Sequence, residues 1–175
     1  MVAACTVKAE RSAAGVAFSP NGQLAVMLNS KELALYEATG NPSVPPKLRC
    51  ITHLPSLLSS RHPWSQASFR HLAWLSNNVL IVVQAVTNRL ISDLGASSTG
   101  DVLFELSLSD STAVAEPAPS ITPSGLTLTA CTMVPEGQSV LQVHPVYRHG
   151  WLAVHLSNGP VLKYTPCMCL SFYHL

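Results

Sequence analysis

The stretch Gly15-Val16-Ala17-Phe18-Ser19-Pro20-Asn21-Gly22-Gln23-Leu24-Ala25-Val26-Met27-Leu28 decides how the rest of the chain is read. Two short apolar runs flank five turn residues. Pro20 presets φ, and Asn21-Gly22 accepts positive φ, so the runs are predicted to be antiparallel strands closed by a tight hairpin. Asn29-Ser30-Lys31 is a second turn signal, and Leu33 to Tyr36 supplies a third strand. Three strands joined in this way form a β-meander.

The pattern returns along the chain. After a proline-rich break at 41–46, Leu48 to Leu54 reads as a short strand, and Pro55 to Gln66 reads as a long polar loop. A second set starts at Arg70. It contains His71 to Leu75, the turn Ser76-Asn77-Asn78, the β-branched run Val79 to Val86, a candidate strand at 89–94, and Val102 to Leu108. In the last of these Leu103 breaks the alternation of Val102, Phe104, Leu106 and Leu108, as expected of a strand covered on both faces. A loop at 109–124 holds Pro117, Pro119 and Pro123. The third set then runs from Leu126 to Met133, through Pro135-Glu136-Gly137-Gln138, to Val140–His144, Trp151–Leu156 and Val161–Tyr164. Asn158-Gly159 between the last two is the strongest hairpin signal in the chain. No stretch has a sustained helical period with caps.

Ala17-Phe18 and Ala73-Trp74 occupy matching places 56 positions apart, and the third set follows after about 55 more. Such a period, built from three or four strands, is the mark of propeller blades. The expected fold is therefore all-β: a partial β-propeller of about three antiparallel meander sheets, unclosed. The blades are expected near 12–54, 68–108 and 125–165 within a unit spanning 1–165, with an atypical tail at 166–175. The Gly-His and Trp-Asp signatures of standard WD repeats are missing, and a β-sandwich is the alternative arrangement for the same strand pattern. Closing a ring takes four or more blades. The chain accordingly reads as a piece of a longer protein, or as one that dimerises or misfolds, and Pro166 to Leu175 reads as a truncated or alternatively spliced end where another strand should follow; a truncated product without independent function is the alternative.

Composition narrows the function. The 175 residues are 47% hydrophobic and 11% charged, against roughly 25% charged in an ordinary soluble domain. A chain this apolar has surface to bury and implies further protein covering it. Net charge is +1, and its ten Lys and Arg are scattered singly, unlike the basic stripe that follows a phosphate backbone. The N-terminus has no basic region ahead of a long apolar run, and the run 79–83 is far shorter than the ~18 residues of a membrane-spanning helix. A soluble, cytoplasmic protein is expected. The cysteines, Cys5, Cys50, Cys131, Cys167 and Cys169, are odd in number and irregular in spacing, so reduced, partly buried thiols are expected.

Three stretches carry a more specific resemblance. Gly15-Val16-Ala17-Phe18 through Leu24-Ala25-Val26 to Leu33-Ala34-Leu35-Tyr36 is similar to a blade from the N-terminal propeller region of the Elongator complex protein 1 family, the large scaffold subunits of Elongator. Leu72-Ala73-Trp74 through Val79-Leu80-Ile81-Val82-Val83 resembles the next blade. Val140-Leu141-Gln142-Val143 with His155-Leu156-Ser157-Asn158-Gly159-Pro160-Val161-Leu162-Lys163-Tyr164 resembles the one after. Order and spacing agree over most of residues 12 to 165, whereas the family's second propeller and long helical region have no counterpart here. The resemblance implies a non-catalytic scaffold that binds other Elongator subunits. It also implies a cytoplasmic role in tRNA wobble-uridine modification and translation, with tRNA reached only indirectly through the complex and the chemistry left to another subunit.

Individual residues add little chemistry. Cys167-Met168-Cys169 with His174 has the wrong spacing for a structural zinc site, which needs pairs two to four apart and a second pair. The seven histidines, His53, His62, His71, His144, His149, His155 and His174, have no nucleophile-and-carboxylate motif beside them, and no Gly-x-Ser-x-Gly, His-Glu-x-x-His or phosphate-cradling loop occurs. No catalytic, metal or cofactor-binding residue is assigned, and no membrane partner. The competing functional class is a small β-sandwich enzyme, which would require a cleft of convergent titratable groups. Trp74 and Trp151 lie within strand patterns and are expected in the core. Trp64, after Pro63 in a polar loop, is the candidate contact residue. Ser19-Pro20 and Ser43-Val44-Pro45 are accounted for by turn chemistry.

Overall fold

A computed structural model describes residues 12–37, 39, 41, 44–58, 68–85, 100–109, 125–159 and 161–166, together with the backbone of 171–173. Within them the fold is all-β. Three four-stranded antiparallel sheets, none closed on itself, stand side by side in a partial, propeller-like array. The first sheet is a meander of β1 (Ala13–Phe18), β2 (Leu24–Leu28), β3 (Glu32–Glu37) and β4 (Lys47–His53). The second contains β5 (Phe69–Trp74), β6 (Val79–Gln84), β7 (Val102–Leu108) and β8 (Leu126–Met133). The third contains β9 (Val140–Val146), β10 (Trp151–Leu156), β11 (Val161–Tyr164) and β12 (Ser171–Tyr173).

The turns fold as their residues dictate. Gly22 takes φ of 85°, and the amide of Ser19 bonds the carbonyl of Gln23 at 2.9 Å, closing β1 onto β2. Asn29 and Ser30 both adopt positive φ, 50° and 56°, between β2 and β3. That pair of left-handed residues is what a two-residue turn needs to match the twist of the strands. Gly159, at φ 96°, does the same work between β10 and β11.

Sheet-to-sheet contact runs through the first strands, β1 against β5 and β5 against β9. This puts the opening strand of each meander on the shared inner side and the fourth strand on the outside, the radial order of propeller blades. Two cores result. The larger joins the first and second sheets: Ala25, Met27, Leu33 and Leu35 face Phe69, Leu72, Trp74, Leu80, Val82, Phe104 and Leu106. The other joins the second and third sheets, where Ala73, Ile81, Val83 and Leu103 face Val140, Leu152, Val154, Leu156, Leu162 and Tyr164. The second sheet is thus buried on both faces. This is why β6 and β7 are nearly unbroken apolar runs and why the doublet Val102-Leu103 interrupts the alternation.

Several boundaries differ from those expected. Leu126–Met133 is the fourth strand of the second sheet, paired with β7 from Leu108↔Leu126 to Val102↔Met133, and does not open the third. Its hydroxyl-bearing residues help to fix it there, since Thr127 Oγ1 donates to the backbone carbonyl of Ser107 at 3.4 Å. The third sheet therefore begins at Val140, and within the tail Ser171–Tyr173 completes it by pairing with β11. The segment expected as a loop from Pro55 begins as a helical turn, α1 (Leu54–Leu58). Its Leu54, Leu57 and Leu58 recur at i, i+3 and i+4 and are buried in the larger core. The candidate strand at 89–94 lies outside the described residues.

Gly100 lies where two segments approach closely. A Cβ there would stand 2.6 Å from the carbonyl oxygen of Val134 and 3.0 Å from that of Pro135, both backbone atoms that cannot swing aside. Gly100→Ala is expected to destabilise the chain by about 1–3 kcal/mol, the usual cost of overpacking. Gly159→Ala meets no neighbour within 4 Å and strains only its own backbone at φ 96°. Urea unfolding of both variants checks the order of the two costs.

Candidate interaction surfaces

Polar links fix how the sheets sit against one another. Glu105, on β7, is 3% exposed, and each oxygen of its carboxylate accepts a hydrogen bond. Tyr164, on β11, donates its hydroxyl to Oε2 at 2.9 Å, and Thr129, on β8, donates to Oε1 at 2.9 Å. Asp101, also 3% exposed, accepts the backbone N–H of Val140 at 2.8 Å. The ring Nε2 of His71 lies 3.0 Å from the carbonyl oxygen of the same Val140. Both backbone groups at the start of β9 are thereby held by side chains of the second sheet. A buried carboxylate is costly unless it is paired or hydrogen-bonded, and these are hydrogen-bonded. The sequence signal for Glu105 was one acid inside an otherwise apolar run, Val102-Leu103-Phe104-Glu105-Leu106. Sequence reasoning passed over it.

The first sheet is tied at its ends. The amide of Asn21 donates to Asn77 Oδ1 at 3.1 Å, joining the matching hairpin turns of the first two sheets. Tyr147, in the 3-10 turn Tyr147–His149, donates its hydroxyl to the carbonyl of Phe18 at 2.9 Å and joins the third sheet to the first. Arg49 donates from Nη2 to the carbonyl of Ser109 at 3.1 Å.

The outward face of the first sheet is apolar. Phe18 and Val16 are 60% and 56% exposed, and Leu48 and Ile51 are also open, at the flanks of buried Leu24, Val26, Leu28 and Ala34. Strand register makes Phe18 the counterpart of Trp74, since Phe18 pairs with Leu24 as Trp74 pairs with Leu80. Trp74 is 1% exposed against the neighbouring sheet. The same structural position is a core anchor in one sheet and an open aromatic in the other.

The remaining candidates are dispersed. Trp74 is in the core as expected, but Trp151 is only half-buried. It shares the outward face of β10 with Ala153 and His155, while Leu152, Val154 and Leu156 fill the inner one. Trp64, His62, His174, Cys5, Cys167 and Cys169 lie outside the described residues. His53 Nδ1 is 2.8 Å from Ser56 Oγ, and His144 Nε2 is 3.1 Å from Gln142 Oε1. No three His, Cys, Asp or Glu side chains come together to hold a metal ion among the described residues. Ser19 is buried, and its hydroxyl accepts the amide of Gln23 at 2.9 Å and bonds Asn21 Oδ1, a turn role in full. No helix among the described residues is long and apolar enough to cross a membrane.

No protein-family model matches the chain, and no curated protein matches it.

Two predictions follow from the buried groups. Tyr164→Phe removes one of the two hydroxyls that solvate Glu105 and is expected to cost about 1–3 kcal/mol, the penalty of a buried acceptor left short of a partner. Thermal unfolding of the variant beside Glu105→Gln measures it. Cys50 and Cys131 have thiols pushed above their ordinary range, chiefly by burial. A raised value means less thiolate near pH 8, and thiolate is the reacting species. Alkylation mapped by mass spectrometry is expected to be slower at both in the folded chain than in urea.

Proposed function

We propose that the chain is a non-catalytic scaffold, part of the propeller of an Elongator-type large subunit, that holds other Elongator subunits together in the cytoplasm. In this reading it supports tRNA wobble-uridine modification through the complex, with tRNA contacted by other components. One observation carries the proposal: the three stretches that resemble successive Elongator blades lie in three successive sheets, in the same order. A scaffold also accounts for where the polar groups are used. Glu105, Asp101 and His71, the titratable side chains at the joint between the second and third sheets, are spent on hydrogen bonds that register one sheet on the next. The open aromatic and aliphatic flanks of the first sheet are the kind of surface that further protein covers.

The test is affinity capture of the tagged 175-residue chain from a cell extract containing intact Elongator. Recovery of its catalytic subunit is the expected result. Recovery of no Elongator subunit, with the tagged chain folded and soluble, overturns the proposal.

A further inference from the structure

The outer strands of the three sheets differ in how they are guarded against pairing with another chain. An edge strand offers backbone N–H and C=O groups, and charge, proline, a bulge or shortness usually defends it. β4 carries Lys47, Arg49 and His53, and β12 is three residues long. β8 is the outer edge of the second sheet and runs for eight residues without a charged side chain, Leu126-Thr127-Leu128-Thr129-Ala130-Cys131-Thr132-Met133. The helical turn α1 meets β8 through the larger core, where Leu54, Leu57 and Leu58 cluster with Leu126, Leu128 and Cys131.

The defence that β8 does have is a bulge at its middle. Glu105 pairs with Ala130 and Leu106 with Leu128, so Thr129 has no counterpart on β7. Thr129 Oγ1 donates to the carbonyl of Glu105 at 3.1 Å and pins the bulge in place. Hydrogen bonds at the two ends of the strand fix which way its backbone faces. The amide of Ser109 bonds the carbonyl of Gly125, and the amide of Val134 bonds the carbonyl of Asp101, so Gly125 and Val134 face inward to the rest of the sheet. Alternation from each end turns Thr127 and Thr132 inward as well, and Leu128 and Cys131 outward. The bulge thus spaces these two outward positions three residues apart, whereas a regular strand spaces them two apart.

A regular extended segment can match this edge on one side of Thr129 but not across it. A strand with the same bulge matches both sides, and a second copy of β8 is such a strand. Set antiparallel, Leu128 stands opposite the partner's Cys131, and Cys131 opposite the partner's Leu128. The two bulges then meet across a two-fold axis. The same register puts Thr127 opposite the partner's Thr132. Side chains that pack against the larger core lie beside their like, hydroxyls lie beside hydroxyls, and no like charges meet.

We propose that the chain forms a two-fold dimer in which β8 pairs with β8 and two second sheets become one continuous sheet. The outward N–H and C=O groups of Leu128 and Cys131 supply the bonds, repeated by symmetry. Because each copy spends the same edge, the assembly stops at two. It uses edges and leaves the broad faces of the end sheets untouched. It does not rest on the scaffold reading, so a failed Elongator capture leaves it standing.

Sedimentation velocity and cross-linking of the full 175-residue chain test it. The chain is expected to sediment at twice its mass of 18.7 kDa and to dissociate on dilution. Directly opposed residues of this type have Cα atoms about 5.5 Å apart, within reach of a disulfide. Leu128→Cys, oxidised with copper phenanthroline, is therefore expected to give a covalent dimer whose linked peptides join position 128 to Cys131. Adding Cys131→Ser is expected to remove that link. Cys131→Pro takes away an amide that β7 does not use, and is expected to weaken dimerisation about tenfold or more with an unchanged circular dichroism spectrum. If Cys131→Pro unfolds, the cross-link decides. A monomer at every concentration overturns the proposal, and so does a monomer that takes a strand of another protein on this edge. A dimer whose links fall elsewhere, or one that folded Cys131→Pro leaves equally tight, overturns it too.

Discussion

Everything in this fold rests on the second sheet being buried on both faces. Its residues alternate between two cores. Leu72, Leu80, Val82 and Phe104 point to the first sheet, and Ala73, Ile81, Val83 and Leu103 point to the third. Burial of a Val, Leu, Ile or Phe side chain is worth about 1.5–3 kcal/mol, so a sheet with seven such positions, and Ala73 besides, is a strong adhesive for two neighbours. The third sheet has one such neighbour among the described elements, and its burial is correspondingly one-sided. The burial of β10 alternates strictly, whereas five of the six residues of β6 are buried.

Apolar stacking alone does not choose a rotation or an offset between sheets. Directional bonds do that. Thr129, in the same sheet, holds Glu105 Oε1, and Oε2 accepts from Tyr164 only when the third sheet sits at one height on the second. Asp101 and His71 grip both backbone groups of Val140 and set where β9 begins. The contacts between Asn21 and Asn77 and between Tyr147 and Phe18 repeat this logic at the turns. Buried polar groups of this type can add little net stability and still select one arrangement among several apolar ones, because the misaligned states leave a desolvated carboxylate unpaired.

The parts of this architecture legible in the sequence were those governed by local chemistry. Asn21-Gly22, Asn29-Ser30 and Asn158-Gly159 each announce a hairpin through the need for positive φ, and all three are hairpins. The doublet Val102-Leu103 announced double-sided burial for the same local reason. What local chemistry cannot say is which strand a distant segment joins. Leu126–Met133 has the look of an opening strand because prolines precede it, yet it pairs backward with β7. Trp151 read as core because it begins an apolar strand. Its position on the odd face of β10 is what leaves it half-exposed, and a strand with the alternation of Trp151–Leu156 could have revealed that face. Glu105 was invisible for the opposite reason, being one acid whose partners, Thr129 and Tyr164, lie 24 and 59 positions away.

The two end faces show how one repeated unit acquires different uses. Register equates Phe18 with Trp74, so the first sheet keeps the anchor position of a stacked blade and remains chemically suited to another apolar surface. The third sheet uses its inner positions for stacking, Leu152, Val154 and Leu156, and gives its outer ones to histidine, lysine, alanine and a tryptophan. Placing that mixed face on the apolar one would bury Lys163 beside Phe18 and Val16, exchanging water around an ammonium for hydrocarbon. The two ends are therefore mismatched as partners for each other. The array therefore resists closing on its own copy through these faces.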